Sequence, residues 1–353
     1  MNRSSSRSRI DTVLFVSVLL LTGISISVLT SIVPFLFPSY FVFTALGIAG
    51  FIFFSRTDFD ILMYFSRHLY WISVGLLVTP LLFGVVTRGA IRWITIGELA
   101  VQPSEIVRPF LILFAAWYLT AEVLTFNRLL RFAGYALIPV MLILVQPSFG
   151  VSILTSLAFL GVLLASTVNK KYIMLSLIVG LLFVPVSWYV MAPYQKERVM
   201  TFLNPTSDPL GAGYNSIQSM ISVGSGKFFG RGLGKGVQTQ LDFLPERHND
   251  FIFASIAEEL GLVGVMVLMV CLFMLFWRLT NIIDRAKNPT ARAFVSGLFF
   301  VLFFQTIFNI GMNMGLFPIT GIPLPLVSSG GSSYIATLLA LGIASNCMRK
   351  QKI

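Results

Sequence analysis

Charge is what this sequence has least of. Asp, Glu, Lys and Arg make up 11% of its 353 residues, against the ~25% usual in a soluble domain, and only 14 of them are acidic. Histidine and cysteine occur twice each. Cys271 lies in an apolar run and Cys347 near the C-terminus, neither with the spacing of a metal or redox motif, so both read as inert thiols. His248 has no second His or Cys at ligand spacing, which leaves it a structural or interfacial role. Ser328, Ser329, Ser332 and Ser333 have no His–Asp arrangement around them, which argues against a serine hydrolase. No internal repeat is visible, and this counts against repeat-built transporter folds.

What the chain has in abundance is apolar surface. Hydrophobic residues are 56% of it and phenylalanine alone occurs 33 times, with a mean hydropathy of +0.86. A bilayer removes the need to bury that surface. Apolar runs of spanning length fall at 11–36, 40–55, 69–86, 104–121, 132–147, 149–168, 172–192, 251–277, 291–312 and 332–348. The expected fold is therefore an all-α polytopic membrane protein, a single integral membrane domain over 1–353 with about ten transmembrane helices. Its largest extracytoplasmic loop, 194–249, joins the seventh helix to the eighth. Met1 to Arg9 is basic and no cleavage site follows the apolar stretch behind it, so the first segment reads as an uncleaved span.

The net charge of +11 sits in short clusters between apolar runs, a pattern of membrane orientation rather than of nucleic-acid binding. With the N-terminus inside, Arg56, Arg67, Arg128, Arg131, Lys170, Lys171, Arg278, Arg285 and Lys287 all fall on the inner face. Glu98, Glu105, Glu197, Asp208, Asp242, Glu246, Asp250, Glu258 and Glu259 fall on or near the outer one. Both termini are then cytoplasmic.

Three outer segments exceed what a connector needs: 87–105, 194–249 and 315–333. In the second, Ile217, Met220 and Ile221 recur at helical spacing, which suggests a short interfacial helix. The third carries three prolines and four glycines, cannot be a regular helix, and reads as a re-entrant segment beside a cavity. The densest polar stretch is 230–264. There Gly230, Gly232, Gly234 and Gly236 alternate with Arg231 and Lys235, a loop suited to an anion or simply a flexible turn. It is not a Walker loop, since Phe229 stands where that spacing needs glycine. Asp250 opens the eighth span, as an N-cap or as a functional carboxylate, with Glu246, Arg247 and His248 crowded beside it. Glu105 and Arg108, three apart on the fourth helix, suit an ion pair at membrane depth or a substrate contact.

Three separated stretches resemble the RodA/FtsW (SEDS) family: GAIRWITIG followed by QPSE, LPERHNDFIFASIAEELG behind the Gly-rich loop, and NIGMNMGLFPITGIPLPLVSSGGSS. They stand in the family's order over nearly the whole chain, and QTQLDFLPERH and PLPLVSSGG look closer to the RodA branch. The resemblance implies a peptidoglycan glycosyltransferase for cell elongation, shape or division. It would polymerise lipid II at the outer face of the bacterial cytoplasmic membrane and work with a class B penicillin-binding protein. It places the essential aspartate at Asp250, and Glu105 and Arg92 at two further family positions. Arg108, Arg231, Lys235, Glu246, Arg247, Ser329, Gly330 and Gly331 join them as substrate-binding candidates. Two positions depart: Ser148 stands where an aspartate is usual, and Arg108 replaces a lysine, keeping the charge but not the geometry. One carboxylate acting as base fits inverting displacement of a lipid pyrophosphate, with cations stabilising the departing charge. A divalent cation, Mg or Mn, would help there, although the sequence shows no convincing ligand set. A lipid II flippase and a non-catalytic scaffold of a cell-wall synthase are the competing readings; the outward bias of the acids disfavours the first, and Ser148 keeps the second alive.

Overall fold

A computed structural model of the protein describes residues 11–87, 90–97, 99–166, 171–172, 174, 178, 180, 188–189, 191, 193–211 and 213–348. Its helices are α1 (Thr12–Ile32), α2 (Phe37–Arg56), α3 (Phe59–Phe83), α4 (Pro103–Ile106), α5 (Arg108–Thr120), α6 (Phe126–Val145) and α7 (Phe149–Ala165). They continue with α8 (Pro193–Leu203), α9 (Tyr214–Ser225), α10 (Val237–Gln240), α11 (Ile252–Arg285), α12 (Pro289–Asn313) and α13 (Gly331–Asn346). Six of these are long and apolar enough to cross a membrane. Most of the expected span 172–192 lies outside the described residues. Helix α3 begins ten residues before the expected start at 69, because its first turns carry Asp60, Arg67 and His68, which an apolar window rejects.

Small residues let the helices close on one another, as in membrane bundles generally. A methyl added to Gly47 of α2 would lie 2.6 Å from Leu338, and one added to Gly50 would lie 2.4 Å from Leu339, both on α13. Gly161 of α7 meets the ring of Phe300, and Gly297 of α12 meets Val162 and Ile112, so α5, α7 and α12 form a second tight group.

The fold is not purely helical. Strands β1 (Val85–Thr87), β2 (Ala90–Ile96) and β3 (Leu99–Val101) make an antiparallel sheet in the order β1-β2-β3. Ile96 pairs with Leu99 across a two-residue turn that starts at Gly97, whose φ is 63°. Glycine there supplies the backbone that tight hairpins require. The run AIRWITI is rich in β-branched and aromatic residues, which suit a pleated ribbon and are too few to span a bilayer.

Helix α11 is broken. Gly261 has φ 64° and ψ −164°, so Ile252–Leu260 and the segment from Leu262 onward are separate helices. Residues 252–259 are all buried within protein, whereas Leu262, Val263, Met266, Val267, Phe273 and Trp277 are exposed. The exposed apolar stretch of α11 thus starts after the break. The first half-helix, about 13 Å long, stacks on top of it inside the fold.

The Gly-rich loop fills the break. The amides of Arg231 and Gly232 donate to the carbonyls of Glu258 (2.9 Å) and Glu259 (3.0 Å), which end the first half-helix. The amides of Leu262 and Val263, which begin the second, donate to the carbonyls of Lys227 (2.9 Å) and Phe228 (3.1 Å). Helix ends that would otherwise be unsatisfied are thereby paired. The contact demands glycine: a methyl on Gly230 would lie 2.2 Å from the Glu259 carbonyl, and one on Gly261 would lie 2.2 Å from the Gly230 nitrogen. Both residues also have positive φ. Gly230→Ala and Gly261→Ala are each expected to lower the thermal unfolding midpoint in detergent, through a loss of stability on the order of 2 kcal/mol or more. Gly224→Ala, in α9 with nothing within 4 Å of the added methyl, is expected to be neutral or to stabilise by up to ~1 kcal/mol.

Residues 314–330 form no regular helix, although 322–328 are buried. Their backbone is met by side chains. Gln305 Nε2 donates to the Pro323 carbonyl (2.8 Å), Asn309 Nδ2 to that of Ile322 (2.8 Å), and Ser25 Oγ to that of Val327 (2.5 Å).

Candidate active site

Asp250 stands in the turn just ahead of α11 and does not cap it. Phe251 holds the N-cap position, with no side-chain cap bond. The peptide of Asp250 is fixed instead: its carbonyl accepts from Asn309 Nδ2 and Asn313 Nδ2, both at 3.0 Å. These asparagines are fully buried one turn apart on α12. Asn313 Oδ1 also accepts from the Ala254 amide (3.1 Å), so the same side chain pins the turn and the helix that follows it. The Asp250 carboxylate accepts from Asn249 Nδ2 (3.0 Å). It is half-buried and faces Gly321, where an added methyl would lie 3.5 Å from Oδ2 and 4.0 Å from Nη1 of Arg198.

The irregular segment 314–330 braces this turn from the other side. Ser329 donates its amide to the His248 carbonyl (3.0 Å), and Ser328 Oγ donates to that of Asn249 (2.6 Å). An added methyl on Gly330 would come within 3.2 Å of Asn249 Oδ1. Gly331 has a packing part, since a side chain there would run into the ring of Phe43.

Glu105 and Arg108 lie at the head of α4 and α5, and both are buried. The charges acting on the Glu105 carboxylate are those of Arg108, Arg92 on β2 and Asp250. Arg92 and Asp250, from distant parts of the chain, thus lie within electrostatic reach of Glu105, as does Arg108 three residues away. In Arg108, Nε and Nη2 are buried without a hydrogen-bond partner. Buried donors left unmatched carry a cost of about 1–3 kcal/mol that an anion brought to them would remove.

Ser148 is tied to the same region. Gln102 Nε2 donates to Ser148 Oγ (3.2 Å) and to Ser104 Oγ (3.1 Å), and the Gln102 amide donates to Ser332 Oγ (2.8 Å). Ser148 holds the N-cap position of α7 without making a cap bond. A carboxylate at that position would find the Gln102 amide group and the free helix amides. Ser148→Asp is therefore expected to leave turnover within a few-fold of the parent, read as product formed per time. A rate several-fold lower would show a cavity rebuilt around serine.

The Gly-rich loop lies elsewhere and spends its amides within the chain. The Gln238 and Thr239 amides donate to Glu258 Oε1 (2.9 Å) and Oε2 (3.0 Å). Glu259 Oε1 accepts from the Gly234 amide (3.0 Å), Ser31 Oγ (2.7 Å) and Gln240 Nε2 (3.2 Å). What this loop holds is the chain's own buried carboxyl groups. Arg231 and Lys235 are exposed on it. Arg247 turns toward α1, pairing with Asp242 and donating from Nη2 to the Ile32 carbonyl (3.2 Å), while partial burial lowers its pKa from the ordinary value. Glu246 Oε2 stands 4.0 Å from His248 Nε2. Among the described residues no group of three or more His, Cys, Asp or Glu side chains is arranged to hold a metal ion.

Three residues at this site escaped the sequence reading. Asn309 and Asn313 lay inside a quoted motif, and two amides one turn apart in an apolar span are a signal in their own right. Arg198 lay in an exposed loop helix with nothing local to distinguish it.

Comparisons with known proteins converge on this architecture. The profile of the FtsW/RodA/SpoVE family, described as cell cycle proteins, matches residues 8–353. The peptidoglycan glycosyltransferase MrdB of Escherichia coli K12 is 41% identical over 293 residues, which cover 82% of this chain and 79% of MrdB. The probable peptidoglycan glycosyltransferase FtsW of Nitrosococcus halophilus is 35% identical over 282 residues, covering 77% and 72%. A chain of a solved peptidoglycan synthase complex, described as coordinating polymerization and crosslinking, superposes with a TM-score of 0.80 at 32% identity, covering 96% of this chain and 97% of that one. The crystal structure of the Thermus thermophilus rod shape determining protein RodA superposes with a TM-score of 0.71 at 26% identity, covering 95% of each chain.

Proposed function

The chain belongs to the FtsW/RodA/SpoVE family and is a peptidoglycan glycosyltransferase of the RodA-like branch, and from that premise we propose that it polymerises lipid II at the outer face of the cytoplasmic membrane with Asp250 as the base. The observation that carries this reading is the half-buried Asp250 carboxylate, with Arg198 across Gly321 and with Glu105, which also feels Arg92 and Arg108, within electrostatic reach. It supplies one accessible carboxylate and a surround of cations, the two things the reaction asks of a protein.

The acceptor sugar's hydroxyl oxygen attacks the donor's anomeric carbon and its proton passes to Asp250. The bond from that carbon to the pyrophosphate oxygen breaks, and undecaprenyl pyrophosphate leaves with the electron pair. One displacement inverts the anomeric centre. Arg108 has two unmatched donors to offer the departing pyrophosphate, and Arg92 adds charge beside it. Glu105 offsets part of the charge of the two arginines. Arg231 and Lys235, exposed on the separate Gly-rich loop, suit phosphates farther from the reacting centre, whereas Arg247 is committed to Asp242 and the Ile32 carbonyl.

A Mg or Mn ion would shield the pyrophosphate. Two carboxylates, Asp250 and Glu105, are too few for a resident site, which fits an ion arriving with the substrate phosphates and its own waters.

The partner in this reading is a class B penicillin-binding protein, whose transpeptidase would crosslink the new strands. Purified protein with that partner and labelled lipid II is expected to yield glycan polymer. Movement of lipid II between leaflets without polymer would move the assignment to transport, and neither outcome would leave a scaffold.

The outer placement of the site rests on the basic inner loops and both termini being cytoplasmic. A cysteine replacing Ser207, exposed beyond α8, should react with an impermeant thiol reagent in cells with a permeabilised outer barrier. One replacing Lys287, exposed between α11 and α12, should not. The reverse labelling pattern would overturn the orientation.

A further inference from the structure

Helix α9 is amphipathic the wrong way round for a loop in water. Ser219 and Ser222 are fully buried and Ser216 nearly so, while Met220 and Ile221 point outward. Ser219 Oγ donates to the Asn313 carbonyl (2.9 Å), which ties the serine face to the bundle at that point. A helix that hides its hydroxyls and shows its aliphatics has an apolar medium outside it.

The chain just after it repeats the pattern. Phe228 is 68% and Phe229 85% exposed, flanked by the exposed cations Lys227 and Arg231. The height of this turn is fixed by its hydrogen bonds to Leu262 and Val263, the first residues of the lipid-facing half of α11. Met220 packs on Gly315 at the far end of α12, beside the exposed Leu316. The three surfaces form one apolar face level with the head of a span. Residues 225–231 line an open depression of about 460 Å³ there; the acid nearest its cations is the buried Glu258, whose Oε1 stands 4.0 Å from Arg231 Nε and leaves the rest of that exposed guanidinium facing out.

We propose that α9 and the 227–231 turn are embedded in the outer leaflet, with Met220, Ile221, Phe228 and Phe229 among the acyl chains and Lys227 and Arg231 holding lipid phosphates in the depression. The occupant is bilayer lipid because the face continues the exposed stripe of Leu262, Val263 and Met266, and because the flanking charges complement phosphate. Aromatic rings next to cations at this level are what an interface selects. The Asp250 turn is then tied to the leaflet through Asn313, which α9 and the turn share.

The inference rests on the multi-pass reading of the bundle, and the test separates the two. In the full chain with Cys271 and Cys347 replaced by alanine, single cysteines at Ile221, Phe229, Phe273 and Ser207 are spin-labelled in nanodiscs. The discs are phosphatidylcholine alone or mixed with phosphatidylglycerol. Labels at 221 and 229 should show an oxygen-to-nickel-chelate accessibility ratio several-fold above that at 207 and approaching that at 273. The 229 label should be less mobile in the anionic discs, and Lys227→Gln with Arg231→Gln should remove that difference. If 273 is shielded from the chelate but 221 and 229 are as open as 207, the embedded face is wrong while the span stands. If 273 is open as well, the membrane reading itself fails. Shielding of 221 and 229 that appears only on adding the transpeptidase would assign the face to that partner and overturn the proposal. A mobility at 229 that is the same in both discs would overturn the phosphate site.

Discussion

Asp250→Asn is expected to cut glycan polymer formation by ~10²-fold or more while leaving the fold and lipid binding in place. The substitution keeps the size of the side chain and an Oδ1 to accept from Asn249. The bonds that fix the turn come from the Asp250 carbonyl, which the change does not touch. Since Asp250 is not the N-cap of α11, loss of a cap cannot account for any fall in rate. A base is needed only in the transition state, so turnover should fall with little change in the apparent affinity for lipid II. Three measurements on one preparation decide it: polymer yield against time, lipid binding and the unfolding midpoint. Polymer at more than about a tenth of the parent rate would remove Asp250 from the role of base. A matching loss of stability would make the effect structural.

The spans were legible because a bilayer imposes one rule, a run of apolar residues, that needs no knowledge of neighbours. The grouping of Asp250, Glu105 and the arginines was legible only through the family resemblance, since positions 92, 105 and 250 share no local pattern. Where local chemistry was read directly, tertiary context often redirected it. The alternating glycines looked like an anion loop, whereas the Gly234 amide and those of Gln238 and Thr239 just beyond are spent on the carboxyl groups of Glu259 and Glu258 from the next helix. Asp250 looked like a cap because helix onset is a local signal, whereas the helix begins one residue later and the turn hangs on Asn309 and Asn313. The break at Gly261 was hidden by composition: apolar residues continue through it, and only a partner strand of backbone from 227–232 lets the helix part there. The ribbon at 85–101 did carry a signal, β-branched and aromatic residues between glycines, which an all-helical expectation overrode.

Arg198 is the residue whose loss should matter most after Asp250. It sits on α8, and its Nη1 donates to the Ile319 carbonyl (3.1 Å) while lying on the other side of Gly321 from Asp250 Oδ2. Two roles fit that geometry. As an anchor it would hold segment 314–330, and its removal would loosen the brace around residues 248–250. As a charge it would steady the developing pyrophosphate or keep Asp250 in its working ionised form. Removing one preorganised donor from a transition state costs about 10²–10³-fold in turnover, so Arg198→Ala is expected to fall in that range with the unfolding midpoint almost unchanged. The exposure of its side chain argues for this, because an exposed hydrogen bond contributes only about 0.5–1.5 kcal/mol to stability. Arg198→Lys keeps the charge and one donor but not the planar fork, and should recover a good part of the rate if charge is what matters. Arg198→Gln keeps a donor for Ile319 without the charge, and should recover it only if anchoring is what matters. A variant with normal turnover but a raised KM would place Arg198 in uniform substrate binding. Arg198→Ala at the parent rate would leave the pairing across Gly321 without catalytic meaning.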